Sequence, residues 1–190
     1  MEKRTKKPYR NAIRSEKMII RAYATLMQEK DKITVTDIVN EADINRSTFY
    51  AHFKSIDDVR EKIHSDVMDN IMASVTKEDI VLKGSYEAIS EIVDFLESDE
   101  KFYKSLIRTR GADKFLNQLR DTVINIYLSD TELMAKIRDK KNFEIILRLF
   151  IGGYVLILED WARDKLGEIS LEDSTRTMTQ VLSRSIQEYM

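Results

Sequence analysis

The sequence predicts an all-α fold: an N-terminal three-helix head, a long connecting helix and a C-terminal helical bundle, about nine helices in all. Three observations predict it. One Pro and five Gly in 190 residues, with abundant Leu, Ile, Met, Lys and Glu, leave little room for a turn-rich β protein. Apolar residues recur at helical spacing, as in Val59, Ile63, Val67, Ile71 and Val75. Helix-opening signatures recur too, Thr34 with Asp37 and Ser55 with Asp58, each a cap residue followed three positions later by an acid. At 43% hydrophobic residues the chain can bury a real core.

The first helix is expected from about Tyr9 to Glu29, after the lone Pro8. Ile13, Met18, Ile19, Ala22, Leu26 and Met27 give it an apolar face, which covers the next two helices from behind because short helices make no core alone. Before it, Lys3, Arg4, Lys6 and Lys7 form either a phosphate- or minor-groove-binding arm or a solubilising tail. Thr34 opens a second helix carrying Val35 and Ile38 and ending near Ala42. The chain must then turn at once, since Asn45 is itself a good N-cap for a third helix, Arg46 to Lys54. Ile38, Ala42, Ile44, Phe49 and Phe53 supply the inward face of this pair. Arg46, Ser47, Thr48, Tyr50 and His52 are left outside. That is a helix-turn-helix whose second helix is rich in hydrogen-bonding groups.

Arg46 suits guanine O6 and N7 or a phosphate oxygen. Ser47 and Thr48 are short donors for phosphate or base edge, and Lys54 adds a point charge. The Tyr50 hydroxyl reaches a backbone phosphate if the ring stands out, or the ring packs as an ordinary aromatic. His52 can serve as Tyr50 does. The only other histidine is His64, without a matching spacing, so no metal site is expected. Charge agrees with a nucleic-acid partner. Residues 1–54 hold 12 Lys and Arg against 7 Asp and Glu, net +5; the rest hold 19 against 26, net -7.

The run ITVTDIVNEADINRSTFYAHFKSIDDV resembles the N-terminal signature of the TetR family of bacterial regulators. In that family a threonine-capped helix, a turn and a recognition helix with a T-[FLY]-Y-x-[HY]-F run precede a lysine and a long fourth helix. Here the run is Thr48 to Phe53, with Lys54 after it. The close match covers about Arg14 to Ile63. The turn position usually held by Gly in the family is Asp43 here, a small stability penalty if the backbone is left-handed. The resemblance implies DNA contacts from Arg46, Ser47, Thr48, Tyr50, His52 and Lys54, with Asn45 at their head and Thr34 and Thr36 gripping the flanking backbone. It also implies a division into a DNA-binding domain, 1–54, and a regulatory and dimerisation domain, 55–190.

Ser55 and Asp58 open the long helix, expected to about Thr76, a lever from head to body; Met68 and Met72 flank its stripe. A helix follows from Gly84 to Leu96 with Tyr86, Ile89, Ile92 and Val93 inward, then a short one with Phe102, Tyr103, Leu106 and Ile107. Gly111 breaks the pattern before a helix carrying Phe115, Leu116, Leu119, Val123, Ile126 and Tyr127; Ser129 to Thr131 make a loop before Leu133 to Ile137. The stretch from about Asn142 to Lys165 is apolar nearly all round. Such a helix must be covered on every side. Ser170 with Asp173 opens the last helix, bearing Leu171, Met178, Val181, Leu182 and Ile186. These two final helices are expected to pair with their copies in a homodimer through Phe150, Gly153, Tyr154, Ile157, Trp161, Met178 and Leu182. Phe95, Tyr103, Phe115 and Tyr127 either line an effector pocket or belong to the core.

Nothing points to an enzyme: no cysteine is present, there is no glycine-rich phosphate loop, and no histidine–carboxylate spacing stands out. No cofactor is expected. The charged N-terminus lacks the apolar core of a signal peptide, and no apolar run approaches the ~18 residues of a membrane span, so a cytoplasmic protein is expected. The function read from these features is a dimeric, sequence-specific DNA-binding repressor released from operator DNA by an effector. The alternative is an activator or interaction protein of the same fold, controlled by a protein partner.

Overall fold

A computed structural model describes residues 7–74 and 85–189. Ten α-helices and no strand lie among these residues, so the chain has the all-α fold the sequence predicts. It divides into two compact units, between Val67 and Met68. The basic arm of Lys3, Arg4 and Lys6 lies outside the described residues, as do Val75, Thr76 and Gly84 and the side chains of Lys7, Tyr86, Ile89 and Ile186.

In the first unit, α1 (Lys7–Leu26) carries Pro8 in its first turn, where a missing N–H costs nothing. Its inward face is Ile19, Ala22, Tyr23 and Leu26, the i, i+3, i+4, i+7 pattern of a one-sided helix. It packs on both α2 (Val35–Glu41) and α3 (Arg46–His52). Tyr23 is a core residue that the apolar periodicity alone missed, and Ile13, expected inward, is exposed.

Thr34 opens α2 through a complete capping box. Asp37 N–H donates to Thr34 Oγ1 (3.2 Å), and Thr34 N–H donates to Asp37 Oδ2 (2.7 Å). The helix ends in paired return bonds: Asp43 N–H to Asn40 C=O (3.2 Å) and Ile44 N–H to Val39 C=O (3.0 Å). This Schellman ending needs a left-handed residue just past the cap, and Asp43 takes it, at φ 48°. Ile38 and Phe49 are fully buried, with Ala42 and Phe53 nearly so; Ile44 is only half-buried. The fourth helix, α4 (Ile56–Ser74), opens as expected. Asp58 N–H donates to Ser55 Oγ (3.1 Å), and Asp58 Oδ2 accepts the Lys54 N–H (2.8 Å). Arg60 Nε donates to the buried Tyr23 hydroxyl (3.2 Å), tying α4 to α1.

The second unit holds α5 (Ser85–Glu97), α6 (Glu100–Arg108), α7 (Ala112–Ser129), α8 (Thr131–Lys136), α9 (Lys140–Ala162) and α10 (Leu171–Tyr189). Asp99, Asp130 and Asp139 cap α6, α8 and α9 with side-chain oxygens. Asp130 shortens the expected loop to one residue, because its carboxylate accepts the Leu133 N–H (2.8 Å) and starts α8 at once. Gly111 sits at φ 86° before α7, a conformation open chiefly to glycine. The long α9 packs on α6, α7 and α10, and α5 packs on α10. Phe143, Leu147 and Leu106 are wholly buried between these helices.

The end of α9 repeats the ending of α2. Asp164, at φ 56°, bonds back to Trp161 C=O (3.1 Å), and Lys165 N–H to Asp160 C=O (2.8 Å). The Asp164 carboxylate is held by Lys104 Nζ (2.6 Å) and by Arg108, and these two cations pull it below the ordinary carboxylate range. Lys104 Nζ also lies 5.2 Å above the centre of the Trp161 ring.

Candidate nucleic-acid interface

The third helix is built around Asn45. Its side-chain Oδ1 accepts the Thr48 N–H (2.8 Å), the N-cap bond that satisfies one of the first helical donors. A backbone N–H can only donate, so the atom facing it is the amide oxygen. The hydroxyls of Ser47 (2.6 Å) and Thr48 (2.8 Å), aimed at the same oxygen, must therefore donate to it as well. In the free protein both give their protons to Asn45 and keep lone pairs for any partner.

Outside the cap stand the groups that reach outward. Arg46 and Ser47 are exposed, and Arg46 Nη1 approaches Thr36 Oγ1 at 3.5 Å, bringing the starts of α2 and α3 together. Tyr50 is 52% exposed while its neighbour Phe49 is wholly buried; the two rings meet edge to face at 5.3 Å. Packing from Phe49 thus props the Tyr50 ring on the open side. Lys54, Thr34 and Thr36 are exposed; Thr48 and His52 are half-buried, with the His52 ring 6.5 Å from Phe53. Asp37 is held down at about 2, first by the Lys30 ammonium at 2.8 Å, then by the Thr34 hydroxyl and N–H. That locks the start of α2 at neutral pH. All nine residues singled out for DNA contact fall on α2 or its N-cap, on α3, or on the residues flanking α3.

In the second unit four of the residues expected at the dimer interface, Phe150, Tyr154, Met178 and Leu182, come together around a cavity within the chain. Trp161 (7% exposed) and Leu182 (2%) are buried within their own chain. Gly153 faces Met178 of the same chain, whose Cε would lie 3.4 Å from an added Cβ. The Tyr154 hydroxyl bonds Thr175 Oγ1 (2.7 Å), and its burial lifts its pKa to about 12. Phe150, Ile157 and Met178 are half-buried. The exposed apolar side chains of α9 are Ile145, Leu149 and Leu156, on the opposite side of the helix, with Gly152 between them and open space where its Cβ would be. Among the described side chains of α10, the exposed large apolar one is Val181.

A cavity of about 60 Å³ opens among α5, α7, α9 and α10, lined by Ile92, Leu119, Val123, Ile151, Leu158 and Leu182 among others. None of Phe95, Tyr103, Phe115 and Tyr127 lines it. Phe95 and Tyr103 pack ring to ring at 4.9 Å, and burial lifts the Tyr103 phenol to about 12. Phe115 and Tyr127 are core. Aliphatic side chains form most of this wall, joined by Phe150 and Tyr154, and nothing in the aliphatic spacing separates it from ordinary core. Among the described residues no group of acids and histidines could hold a metal ion, and no helix is long and apolar enough to cross a membrane.

Residues 84–187 match a TetR model for the transcriptional regulator C-terminal region, 104 of the chain's 190 residues. The chain belongs to the TetR family. The resemblance that the helix-turn-helix carried is thus met by an independent match in the other part of the regulator. The HTH-type dhaKLM operon transcriptional activator DhaS of Lactococcus lactis subsp. lactis (strain IL1403) is 26% identical over 99 residues. That match spans 51% of each chain, so the regulator covers about half the length of this curated relative. A solved structure of the dihydroxyacetone kinase operon activator DhaS superposes with a TM-score of 0.69 at 21% identity, over 93% of this chain and 98% of that one. The TetR transcriptional regulator from Streptococcus agalactiae 2603V gives 0.67 at 20% identity, over 92% and 97%. At such identities the superpositions speak to the fold alone. The chain is a transcriptional regulator of TetR type.

Proposed function

We propose that this regulator is a sequence-specific DNA-binding homodimer, with α3 entering the major groove and an effector bound in the second unit controlling its hold on operator DNA. The observation that carries the reading is the pair Phe49 and Tyr50: one ring wholly buried, the next held out in solvent beside Arg46, Ser47 and Lys54. A helix merely filling a core would not spend its open face on these groups. Thr34 and Thr36, at the start of α2, are placed to grip the flanking phosphates, with Asn45 holding the head of α3 in shape.

The task and the surface both support a dimer. Two recognition helices must reach successive major grooves, ~34–36 Å apart. Ile145, Leu149, Gly152 and Leu156 form an apolar stripe at i, i+4, i+7 and i+11 of α9, the spacing of a helix seam, and Gly152 would let a partner helix come close. A repressor of this design covers a promoter, and the effector releases it by binding the two states with affinities that differ by a few kcal/mol.

The reading is tested with the purified protein and a fluorescent duplex from upstream of its own gene, at two salt concentrations, beside an Arg46→Ala, Tyr50→Phe double variant. Tight, salt-sensitive, sequence-selective binding that the variant loses is expected, since phosphate contacts release counterions. No binding to any duplex at low salt would overturn it. A second reading is favoured by two of the three relatives, which are described as operon activators: the same DNA-bound dimer recruits transcription, under control of a protein partner. A promoter–reporter fusion separates the two, falling with added regulator for a repressor and rising for an activator.

A further inference from the structure

The cap of α3 decides how its hydroxyls can bond outward. Asn45 Oδ1 accepts the Thr48 N–H (2.8 Å), the Ser47 hydroxyl (2.6 Å) and the Thr48 hydroxyl (2.8 Å). A hydroxyl has one proton and two lone pairs, so Ser47, having given its proton to Asn45, faces outward as an acceptor. Donating one bond also strengthens the oxygen as an acceptor of the next. Ser47 is exposed, whereas Thr48 is half-buried, which leaves Ser47 as the acceptor within reach of a partner. Its residue type alone casts it as a donor; the cap reverses that.

The neighbouring side chains are of the opposite kind. Arg46 and Lys54, both exposed, have only N–H to give. Phosphate oxygens, guanine O6 and N7 and thymine O4 are acceptors, and they suit Arg46 and Lys54. To bond any of them, Ser47 must turn its proton away from Asn45 and exchange one hydrogen bond for another. An amino group asks for no such exchange: Ser47 keeps its bond to Asn45 and gains a second. In the major groove the amino groups are adenine N6 and cytosine N4. Every base pair carries one amino and one keto group there, so the choice lies in which strand bears the amino group.

We propose that Ser47 is a specificity-determining residue that accepts a hydrogen bond from the amino group of adenine or cytosine. One operator position in each half-site is then A or C, and not G or T, on the strand facing Ser47. This rests on the DNA-binding reading above and names the base chemistry that α3 selects.

Random-sequence duplexes are selected on purified wild type, Ser47→Ala and Ser47→Thr, and the selected duplex is compared with its single-position changes by fluorescence anisotropy. Wild type is expected to prefer A or C at one position about fivefold, the scale of one neutral hydrogen bond. Ser47→Ala should lose the preference at that position alone, and Ser47→Thr, which keeps the hydroxyl, should retain it. The amino group is then deleted there, with purine in place of adenine or pyrimidinone in place of cytosine. The deletion should weaken wild type about fivefold and leave Ser47→Ala unchanged. A relaxed position that favours G or T in wild type would overturn the proposal, since Ser47 would then donate. An even loss over all sequences in Ser47→Ala would also overturn it, making Ser47 a phosphate or structural contact. Selective binding with no position changed in Ser47→Ala sinks this proposal alone, and failure of wild type to select any common sequence sinks the regulator reading instead.

Discussion

Replacing Asp43 should make the protein more stable in one direction and less in the other. Asp43 sits at φ 48° in the left-handed position that closes α2, and its side chain is exposed, so substitution removes no packing. A non-glycine residue there carries roughly 1 kcal/mol of steric cost, somewhat less for Asp. Glycine removes that cost but gains about 0.5–1 kcal/mol of freedom in the unfolded chain. Asp43→Gly should therefore be neutral to about 0.5 kcal/mol stabilising. Asp43→Ala loses the local tolerance of Asp, which raises the steric cost to about 1–2 kcal/mol, and should lie up to about 1 kcal/mol below the glycine variant once the unfolded-chain term is subtracted. Amide exchange followed by mass spectrometry on peptides spanning α2 and α3 reads this locally, about 1 kcal/mol being a fivefold change in exchange rate. An alanine variant as well protected as the glycine variant would refute the strain argument, and with it the Schellman ending as the reason for the tight turn.

Three further outcomes follow from the same geometry. The carboxyl of Asp37 is held at about 2 instead of 3.8, first by Lys30 and then by Thr34. Its folded pKa lies below the unfolded one, so its contribution is fully present above about pH 4 and fades as pH falls towards 2. A carboxyl that titrates by NMR near its ordinary value would contradict the capping box. Phe143→Ala, at a wholly buried site, should cost about 3–5 kcal/mol in denaturant unfolding, and a cost below about 1 kcal/mol would mean that the start of α9 is not core. Leu149→Glu with Leu156→Glu should convert a dimer to a monomer in sedimentation while helicity stays unchanged. Persistence of the dimer would move the interface away from this stripe.

Local chemistry made the helix-turn-helix legible. Thr34, Asp37 and Asn45 act through bonds three residues away, and a bond of that reach is written in the sequence itself. Asp43 was legible for the same reason, since a turn forced between two caps demands a left-handed residue. The second unit was legible as helices but not as faces. In α9 apolar residues occur all round, and only packing against α6, α7 and α10 decides that Leu147, Ile151 and Leu158 turn inward while Leu149 and Leu156 stay out. Aromatic residues drew attention as pocket candidates because they are large. Size also makes them good core, and Phe115 and Tyr127 went there, leaving the cavity to other aromatics, Phe150 and Tyr154, and to aliphatic side chains whose spacing carries no signal. Asp164 was silent for another reason: its two cations come from α6, 56 and 60 positions earlier in the chain.

Trp161 gives the molecule a built-in optical probe. It is the chain's one tryptophan, placed at the end of α9 beneath the Lys104 ammonium. Indole emission responds to nearby charge, so its colour reports whether Lys104 and Asp164 keep their places. Every tryptophan photon leaves from that corner, and an unlabelled sample can be followed on the millisecond scale by mixing it with ligand or denaturant.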